Sequence, residues 1–426
     1  MAVVRETLRG ADRWFVGQRH AMGFLSVDLS SRLSLPTLTA LASQRLLPIP
    51  RLSQRIVALP NQAPHFETCP AVDLKAHIRE QHVNSEEELR SVLDDKMSTP
   101  VDLDGGDRPP WDITLLQRGD GKGSMLFWRV HHGVADAASI TTLLEQLADP
   151  EATSSSSSSS TPTPPPKPKT ASKAGIISNI LDFVRNAVPP LAPLYSLKRA
   201  HPARLTSLAS LQNPPTLPTL KSIARRNGGG TLNDVLVAAV SGALRRYMLA
   251  HNDDPSSIPV MAGIAVGGTR PPPTKANIVT LGNFFGFVTI RLPTHLSTVA
   301  ARYADVRTTM DRVKKGWRGR IGEVSYNLAG YMSPARRQKA LDDGRAREVT
   351  TIITNITGPA KTLFIGGLEV VDLRMHASVW QTIGVMVAAY SYRGKVNVSI
   401  SADRELVKPE EICRGVESEV EDMLKA

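Results

Sequence analysis

Two adjacent histidines, His131 and His132, are the residues in this sequence best suited to acid–base chemistry. Asp136 follows four positions after His132, so two imidazoles and a carboxylate lie within six residues. An imidazole with a pKa near ~6.5 can take up and return a proton around neutral pH, as general acid–base catalysis requires. The competing interpretation is structural, with a core histidine beside an aspartate that caps the next helix. The residue types alone leave both interpretations open.

The elements predicted around the histidines place them at a junction. Residues 124–130 form a short apolar and aromatic run, which predicts a buried strand, and residues 138–147 carry apolar side chains at helical spacing. Functional side chains are often found at connections between such elements. We therefore expect the pair at the end of a strand, just before a helix.

Both halves of the chain mix helices with strands. Further helices are predicted over 35–47, 85–97, 232–247 and 409–424. Further strands are predicted over 112–118, 258–266, 284–292, 348–356, 382–392 and 395–402. Ser85 and Glu88 form a capping box, Thr231 is a capping candidate, and Arg393 with Gly394 forms a tight turn. The connections are too irregular for a repeat or a doubly wound sheet, so the expected class is α+β.

Length and composition favour a large globular protein. The 426 residues are enough for two domains, and the two cysteines, Cys69 and Cys413, are too few for a disulfide framework. Neither the cysteines nor four scattered histidines show metal-ligand spacing; the histidines are His20, His65, His77 and His82. Apolar runs fall short of the ~18 residues of a membrane span, and the first residues lack the apolar core of a secretory signal. A reducing compartment and no metal are expected.

The formal net charge of +11 favours an anionic partner. A phosphate-bearing cofactor and an anionic membrane surface both fit this charge. Nucleic acid fits less well, because the sequence has no zinc-finger spacing, basic heptad region or aromatic RNA-binding signature. We therefore predict no nucleic-acid partner.

A segment rich in serine and proline divides the chain. Residues 154–160 are an unbroken serine run, and 161–170 continue it as a proline-rich tract that cannot form a core. We expect an N-terminal domain over 1–150, a disordered linker over 151–172, a crossover segment over 173–230 and a C-terminal domain over 231–426. Residues 175–188 predict an amphipathic helix that either docks on the protein or touches lipid.

At six places the sequence resembles the wax ester synthase/diacylglycerol acyltransferase family, within the CoA-dependent acyltransferases that share an HHxxxDG motif. The matching segments are PPWD at 109–112, HHGVADA at 131–137, LNDV at 232–235, GN at 282–283, TNITGP at 354–359, and a closing hairpin with SYRG at 391–394 and AD at 402–403. Ala137 and Thr354 stand where the family usually has Gly and Ser. Related plant-type acyltransferases require only HxxxD, which His132 and Asp136 satisfy.

The resemblance implies two chloramphenicol-acetyltransferase-like domains with an active-site channel between them. In this family pattern His132 is the general base, His131 supports the geometry, and Asp136 points toward an arginine and orients the loop. By motif position, Asn283 and Asn355 are candidate oxyanion donors, although a structural turn explains each asparagine equally well. The chain has no G-x-S-x-G elbow, so a direct transfer without an acyl-enzyme is expected.

The function implied by the resemblance is transfer of a long-chain acyl group from acyl-CoA to a fatty alcohol or diacylglycerol. Acyl-CoA would be a co-substrate, and no cofactor is implied. One alternative is a related enzyme with another hydroxyl or amine acceptor or a carrier-protein donor. Another is a non-catalytic binding module of the same fold. The expected location is cytoplasmic, with peripheral association with the endoplasmic reticulum membrane or lipid droplets left open.

Overall fold

The computed structural model describes residues 5–16, 18, 20–59, 62–101, 108–119, 121–150, 194–198, 203, 205–272, 279–315, 318–333, 335–336, 339, 349–379 and 382–425. The predicted linker and the helix predicted over 175–188 lie outside these residues. In the described part, no helix is both long and apolar enough to cross a membrane.

Helices and strands alternate irregularly along the chain. The strands are β1 (Arg5–Thr7), β2 (Met22–Leu29), β3 (Gln54–Val57), β4 (His65–Thr68), β5 (Ile78–Val83), β6 (Trp111–Arg118), β7 (Ser124–His131), β8 (Thr206–Ser210), β9 (Met261–Gly267), β10 (Phe285–Arg291), β11 (Val349–Thr357), β12 (Phe364–Ile365), β13 (Leu368–Ala377), β14 (Val385–Tyr392) and β15 (Lys395–Asp403). The helices are α1 (Gly10–Phe15), α2 (Leu35–Arg45), α3 (Leu74–His77), α4 (Glu86–Ser98), α5 (Ala137–Leu147), α6 (Leu217–Arg226), α7 (Leu232–Ala250), α8 (Val299–Lys315), α9 (Arg318–Ala329) and α10 (Pro409–Lys425).

The strands form two six-stranded sheets and one small sheet. The first sheet has the order β12-β13-β2-β7-β6-β5, and the second has the order β10-β9-β11-β14-β15-β8. Strands β1, β4 and β3 form the small sheet. This arrangement confirms the predicted α+β class. Every predicted helix and strand among the described residues is present, with its ends within three residues of the prediction.

Each large sheet has its own core. Helices α2 and α5 cover one face of the first sheet, where Trp128 and Val130 of β7 belong to the same apolar cluster as Ile140 and Leu144 of α5. Helix α4 packs on the opposite face. The second sheet is covered by α6, α7, α8 and α10, whose apolar faces meet in one cluster. Alternation of side chains along β7 therefore serves two cores, one on each side of the strand.

Local sequence explains several element ends. The Ser85 hydroxyl accepts a hydrogen bond from the Glu88 amide at 3.1 Å, as expected for the start of α4. The Thr231 amide donates to the Asp234 carboxylate at 2.7 Å, which completes a capping box at the start of α7. Arg393 and Gly394 have φ values of 49° and 76°, so the hairpin turns in the left-handed region that such tight turns need.

Strand β13 ties the late part of the chain to the first sheet. It pairs antiparallel with β2, from Val370 opposite Leu29 to Ala377 opposite Gly23. Residues 371–377 of β13 alternate apolar and polar side chains, but a bulge between Val370 and Asp372 interrupts the pattern, and this strand was not among those predicted. Strand β8, from the expected crossover segment, pairs with β15 in the second sheet. The domain boundaries stay a prediction, and the two sheets do not divide the chain at one point.

Candidate active site

The loop between β7 and α5 carries the histidines, at the predicted strand-to-helix junction. Asp136 is the N-cap of α5, and its Oδ1 accepts hydrogen bonds from the Ser139 amide at 2.8 Å and the Ser139 hydroxyl at 2.7 Å. Ala137 is the first residue of the helix. The non-glycine residues with positive φ in the described part are Asn252 and Arg393, so Ala137 has an ordinary backbone. Alanine at this position is therefore accommodated without strain.

His131 is fully buried and both of its ring nitrogens are engaged. Its Nε2 lies 3.1 Å from the carbonyl oxygen of Gln18, and its Nδ1 accepts a hydrogen bond from the Gly133 amide at 3.0 Å. This assigns the proton to Nε2. Burial lowers the pKa of His131 to about 4, although the Gln18 carbonyl acts in the opposite direction. Because both ring nitrogens of His131 are hydrogen-bonded and the ring is neutral, His131 has a structural role and no nitrogen available for proton transfer.

His132 is partly exposed, and one of its nitrogens is fixed by Asn283. The Nδ1 atom of His132 lies 2.7 Å from Oδ1 of Asn283. The Asn283 amide nitrogen donates to the His132 carbonyl oxygen at 2.6 Å and to Oδ1 of Asp12 at 2.8 Å. The amide oxygen is therefore an acceptor, and Nδ1 of His132 must carry the proton. In the neutral ring, Nε2 is then the acceptor.

Asn283 is itself held by a buried charge pair. Asp12 accepts from both the backbone and the side-chain nitrogen of Asn283, and its other oxygen lies 3.2 Å from Nη1 of Arg51. Desolvation raises the pKa of Asp12, while the Arg51 guanidinium and the Asn283 hydrogen bonds oppose that shift. Gly282, which precedes Asn283, has a φ of 141° that favours glycine. This turn directs Asn283 toward the histidine.

Asp136 points to Arg270, the arginine that the sequence could not identify. Nη2 of Arg270 lies 2.6 Å and 2.9 Å from the two carboxylate oxygens, and the Phe284 amide donates to Oδ2 at 3.0 Å. Arg270 also donates to the hydroxyl of Ser139 at 2.8 Å. These bonds tie the start of α5 to residues far along the chain. The carboxylate of Asp136 therefore both caps α5 and binds Arg270.

Aromatic side chains enclose the imidazole of His132. Its ring stacks on Phe15 with centroids 4.2 Å apart and an interplanar angle of 18°, and it meets the edge of Phe285 at 5.6 Å. Burial lowers the pKa of His132, while the Asn283 hydrogen bond and the Asp136 carboxylate act in the opposite direction. The ring is thus biased toward the neutral form, which can accept a proton near neutral pH.

The apolar surroundings continue away from the histidine. Phe285 meets Phe287 edge-on at 5.2 Å, and Phe287 packs against a buried cluster formed by four aliphatic side chains. The four are Ile352, Val379, Ile383 and Met386. One side of the site is therefore built for apolar groups.

The structure brings some of the predicted site residues together and leaves one apart. His131, His132, Asp136 and Asn283 meet at the loop. Asn355 is exposed on β11, opposite Ala389 of β14, and strand alternation turns it to the other face from its neighbour Ile356. Three contributors, Asp12, Arg51 and Arg270, have no motif of their own. No sequence spacing links these three residues to the histidines. The only signal for them is that the buried polar groups of the histidine loop need charged or polar partners.

No group of three or more His, Cys, Asp or Glu side chains in the described part could hold a metal ion. Cys69 and Cys413 are both buried.

Sequence profiles match most of the chain. The profile described as the wax ester synthase/diacylglycerol acyltransferase catalytic domain matches residues 19–226, and the profile of the C-terminal domain of the same proteins matches residues 281–424. A probable diacylglycerol O-acyltransferase of Mycobacterium tuberculosis is 25% identical over 406 residues, which cover 89% of this chain and 85% of the relative. An O-acyltransferase of Acinetobacter baylyi is 21% identical over 383 residues, covering 81% and 79%.

Solved structures with the same fold include two kinds of protein. The wax ester synthase/diacylglycerol acyltransferase from Marinobacter aquaeolei superposes with a TM-score of 0.66 at 17% identity, covering 98% of each chain. The first condensation domain of the calcium-dependent antibiotic synthetase superposes with a TM-score of 0.62 at 16% identity, covering 99% and 96%. At such identities the likeness shows the fold, which is that of two chloramphenicol-acetyltransferase-like domains.

Proposed function

The chain belongs to the wax ester synthase/diacylglycerol acyltransferase family of O-acyltransferases, and from this premise we propose that it moves a long-chain acyl group from CoA to a fatty alcohol or diacylglycerol. The observation that carries this proposal is the 2.7 Å contact between Nδ1 of His132 and Oδ1 of Asn283, which assigns the proton to Nδ1 and leaves Nε2 as the acceptor. The relatives named for diacylglycerol acylation support the acceptor class.

His132 is the general base in the proposed reaction. Its Nε2 takes the proton from the acceptor hydroxyl while that oxygen attacks the thioester carbonyl carbon, and the C–O bond forms. The tetrahedral intermediate then breaks its C–S bond, and the protonated Nε2 returns the proton to the CoA sulfur. The products are an ester and free CoA. The chain's own nucleophiles form no bond to the acyl group.

Asn283 is a positioning residue in this mechanism rather than an oxyanion donor. Both hydrogens of its amide nitrogen have acceptors, the carboxylate of Asp12 and the carbonyl of His132. When His132 becomes protonated, the amide oxygen of Asn283 still accepts from Nδ1. Asp136 anchors the loop through Arg270 and Ser139 and supplies a nearby negative charge. His131 holds the strand end in place.

The apolar side of the site supports a long-chain donor or acceptor. Phe285, Phe287 and the aliphatic cluster behind them offer low-dielectric surroundings that exclude water from the thioester. Exclusion of water favours transfer to an alcohol over hydrolysis.

The test is thiol release from long-chain acyl-CoA, with ester formation followed by mass spectrometry. We expect ester only when a long-chain alcohol or diacylglycerol is supplied. His132→Ala should lower the rate about 10²- to 10⁴-fold, while a matched change at the exposed His295→Ala leaves it unchanged.

Three results would contradict the proposal. Full thiol release by His132→Ala would show that His132 is not the general base. Transfer only from a carrier-protein thioester would favour the condensation-type alternative, and no transfer to any hydroxyl or amine acceptor would favour a binding module.

A further inference from the structure

Large apolar side chains are exposed together on α9 and the turn that follows it. Val324, Leu328, Tyr331 and Met332 expose 57%, 64%, 60% and 36% of their surface. Val324 and Leu328 lie one turn apart on α9, and Tyr331 and Met332 follow in the turn after the helix. Single exposed apolar residues are ordinary on soluble proteins, but a contiguous group marks an interaction surface. We refer to these four residues as the apolar stripe.

The opposite side of α9 is docked closely on the rest of the protein. A Cβ at Gly322 would lie 2.5 Å from the Phe287 carbonyl oxygen, and one at Gly10 of α1 would clash with the Asn327 carbonyl oxygen. Tyr326 projects between Phe15 and Phe285, with ring centroids 5.9 Å and 5.6 Å away. These are the two rings that contact His132. A single helix therefore has the active site under one side and the apolar stripe on the other.

Cationic side chains border the apolar stripe. The Arg13 guanidinium lies 4.5 Å from the centroid of the Tyr331 ring, and Arg336 is exposed shortly after Met332. Tyrosine and arginine next to aliphatic side chains suit a membrane–water interface, where the apolar part enters the lipid and the charge stays at the headgroups. The net charge of +11 adds long-range attraction to an anionic surface.

We propose that the apolar stripe docks the protein on an anionic phospholipid surface. In the docked orientation α9 lies between the lipid and His132. The proposal rests on the proposed function only for its purpose, which is to keep the active site close to the surface that holds a lipid-borne acceptor. Docking on the lipid surface itself depends only on the apolar stripe and the arginines beside it. Charge and the amphipathic border favour a lipid surface over a second copy of the chain.

The test is co-flotation of the full chain with vesicles of phosphatidylcholine alone or of phosphatidylcholine mixed with phosphatidylglycerol. We expect stronger binding to the anionic vesicles and weaker binding as salt is added. Leu328→Glu should weaken binding about tenfold, since it withdraws one large apolar side chain and adds a negative charge. The matched control is Leu249→Glu, at a residue 52% exposed at the end of α7, and it should bind like the parent.

Equal binding by Leu328→Glu and the parent would overturn the proposal, as would equal losses in both glutamate variants. A parent oligomer that Leu328→Glu converts to a monomer, with vesicle binding unchanged, would identify the stripe as a self-association face and also overturn it.

Measurements of turnover separate docking on the lipid surface from the acyl transfer itself. Leu328→Glu should keep the parent rate on a water-miscible alcohol and lose rate when the acceptor is held in vesicles. His132→Ala should show the reverse, with full vesicle binding and no transfer. If the parent transfers nothing, the proposed function fails, and the vesicle results alone decide the docking proposal.

Discussion

Nδ1 of His132 lies 2.7 Å from Oδ1 of Asn283, a residue 151 positions further along the chain. The contact sets the tautomer of the imidazole, because the amide nitrogen of Asn283 is already committed to acceptors. The proton acceptor of the site is therefore created by a contact between the two halves of the chain. A correct local fold of the histidine loop is not sufficient to create this proton acceptor.

Asn283→Ala should lower kcat/KM about 10²-fold, because the imidazole loses the partner that fixes its orientation. Asn283→Asp should also lower the rate, because an oxygen would replace the amide nitrogen that donates to the Asp12 carboxylate and to the His132 carbonyl. Asn355→Ala is the control and should match the parent. Equal losses at both asparagines would show that a general effect on folding is being measured.

The pH profile should reflect the burial of His132. Burial lowers the pKa of His132 below its ordinary value near ~6.5, and the neutral ring is the reactive form. As the pH falls, kcat/KM should therefore persist through ~6.5 and decline only below it. A profile of thiol release against pH measures the midpoint. A midpoint at or above that of a free imidazole would contradict the role assigned to the aromatic enclosure.

Acid should destabilise the fold through His131. Its pKa is lowered to about 4, so between pH ~6.5 and about 4 the unfolded chain binds a proton that the folded chain does not. The free energy of unfolding should fall as the pH is lowered through this window, by on the order of 1 kcal/mol per pH unit from this group. Urea unfolding of the parent and of His131→Gln measures the difference. The variant should be less stable at pH 7 but should have a flatter slope, and an unchanged slope would count against this explanation.

Arg270→Ala should destabilise the protein, because it leaves the carboxylate of Asp136 buried without its cation. Breaking a buried pair costs about 3–5 kcal/mol, and the 28% exposure of the Arg270 side chain favours the lower end. Urea unfolding at pH 7 measures the loss, and activity should fall with it as the loop shifts. Arg291→Ala, at an exposed position on β10, should change neither quantity. Similar losses in both variants would argue against a specific role for the ion pair between Arg270 and Asp136.

Ala137→Gly should leave kcat/KM within about twofold of the parent. Ala137 already has the backbone of a first helical residue, and glycine there adds flexibility without relieving strain. A large gain in the rate of thiol release would show that the methyl group obstructs the site.

Periodicity predicted five of the ten helices and seven of the fifteen strands among the described residues, because their apolar faces are read from neighbours in the sequence. It also placed His132 and Asp136 at the right junction, and both interpretations of Asp136 hold, since the same carboxylate caps α5 and binds Arg270. The sequence could not reveal that Asp12 holds Asn283, because that contact spans 271 residues. Strand β13 was missed although residues 371–377 alternate, because a bulge between Val370 and Asp372 breaks the pattern and its pairing partner β2 lies far back in the sequence.

The pairing of β13 with β2 also limits how this protein can be divided. A fragment that ends near residue 150 would expose the edge of β2, with the backbone groups that β13 now satisfies, and such an edge invites association with other chains. A fragment that begins near residue 230 would carry β13 with no sheet to join. Neither piece is a free-standing module, so exchange of segments between related enzymes should succeed only when β2 and β13 are inherited together.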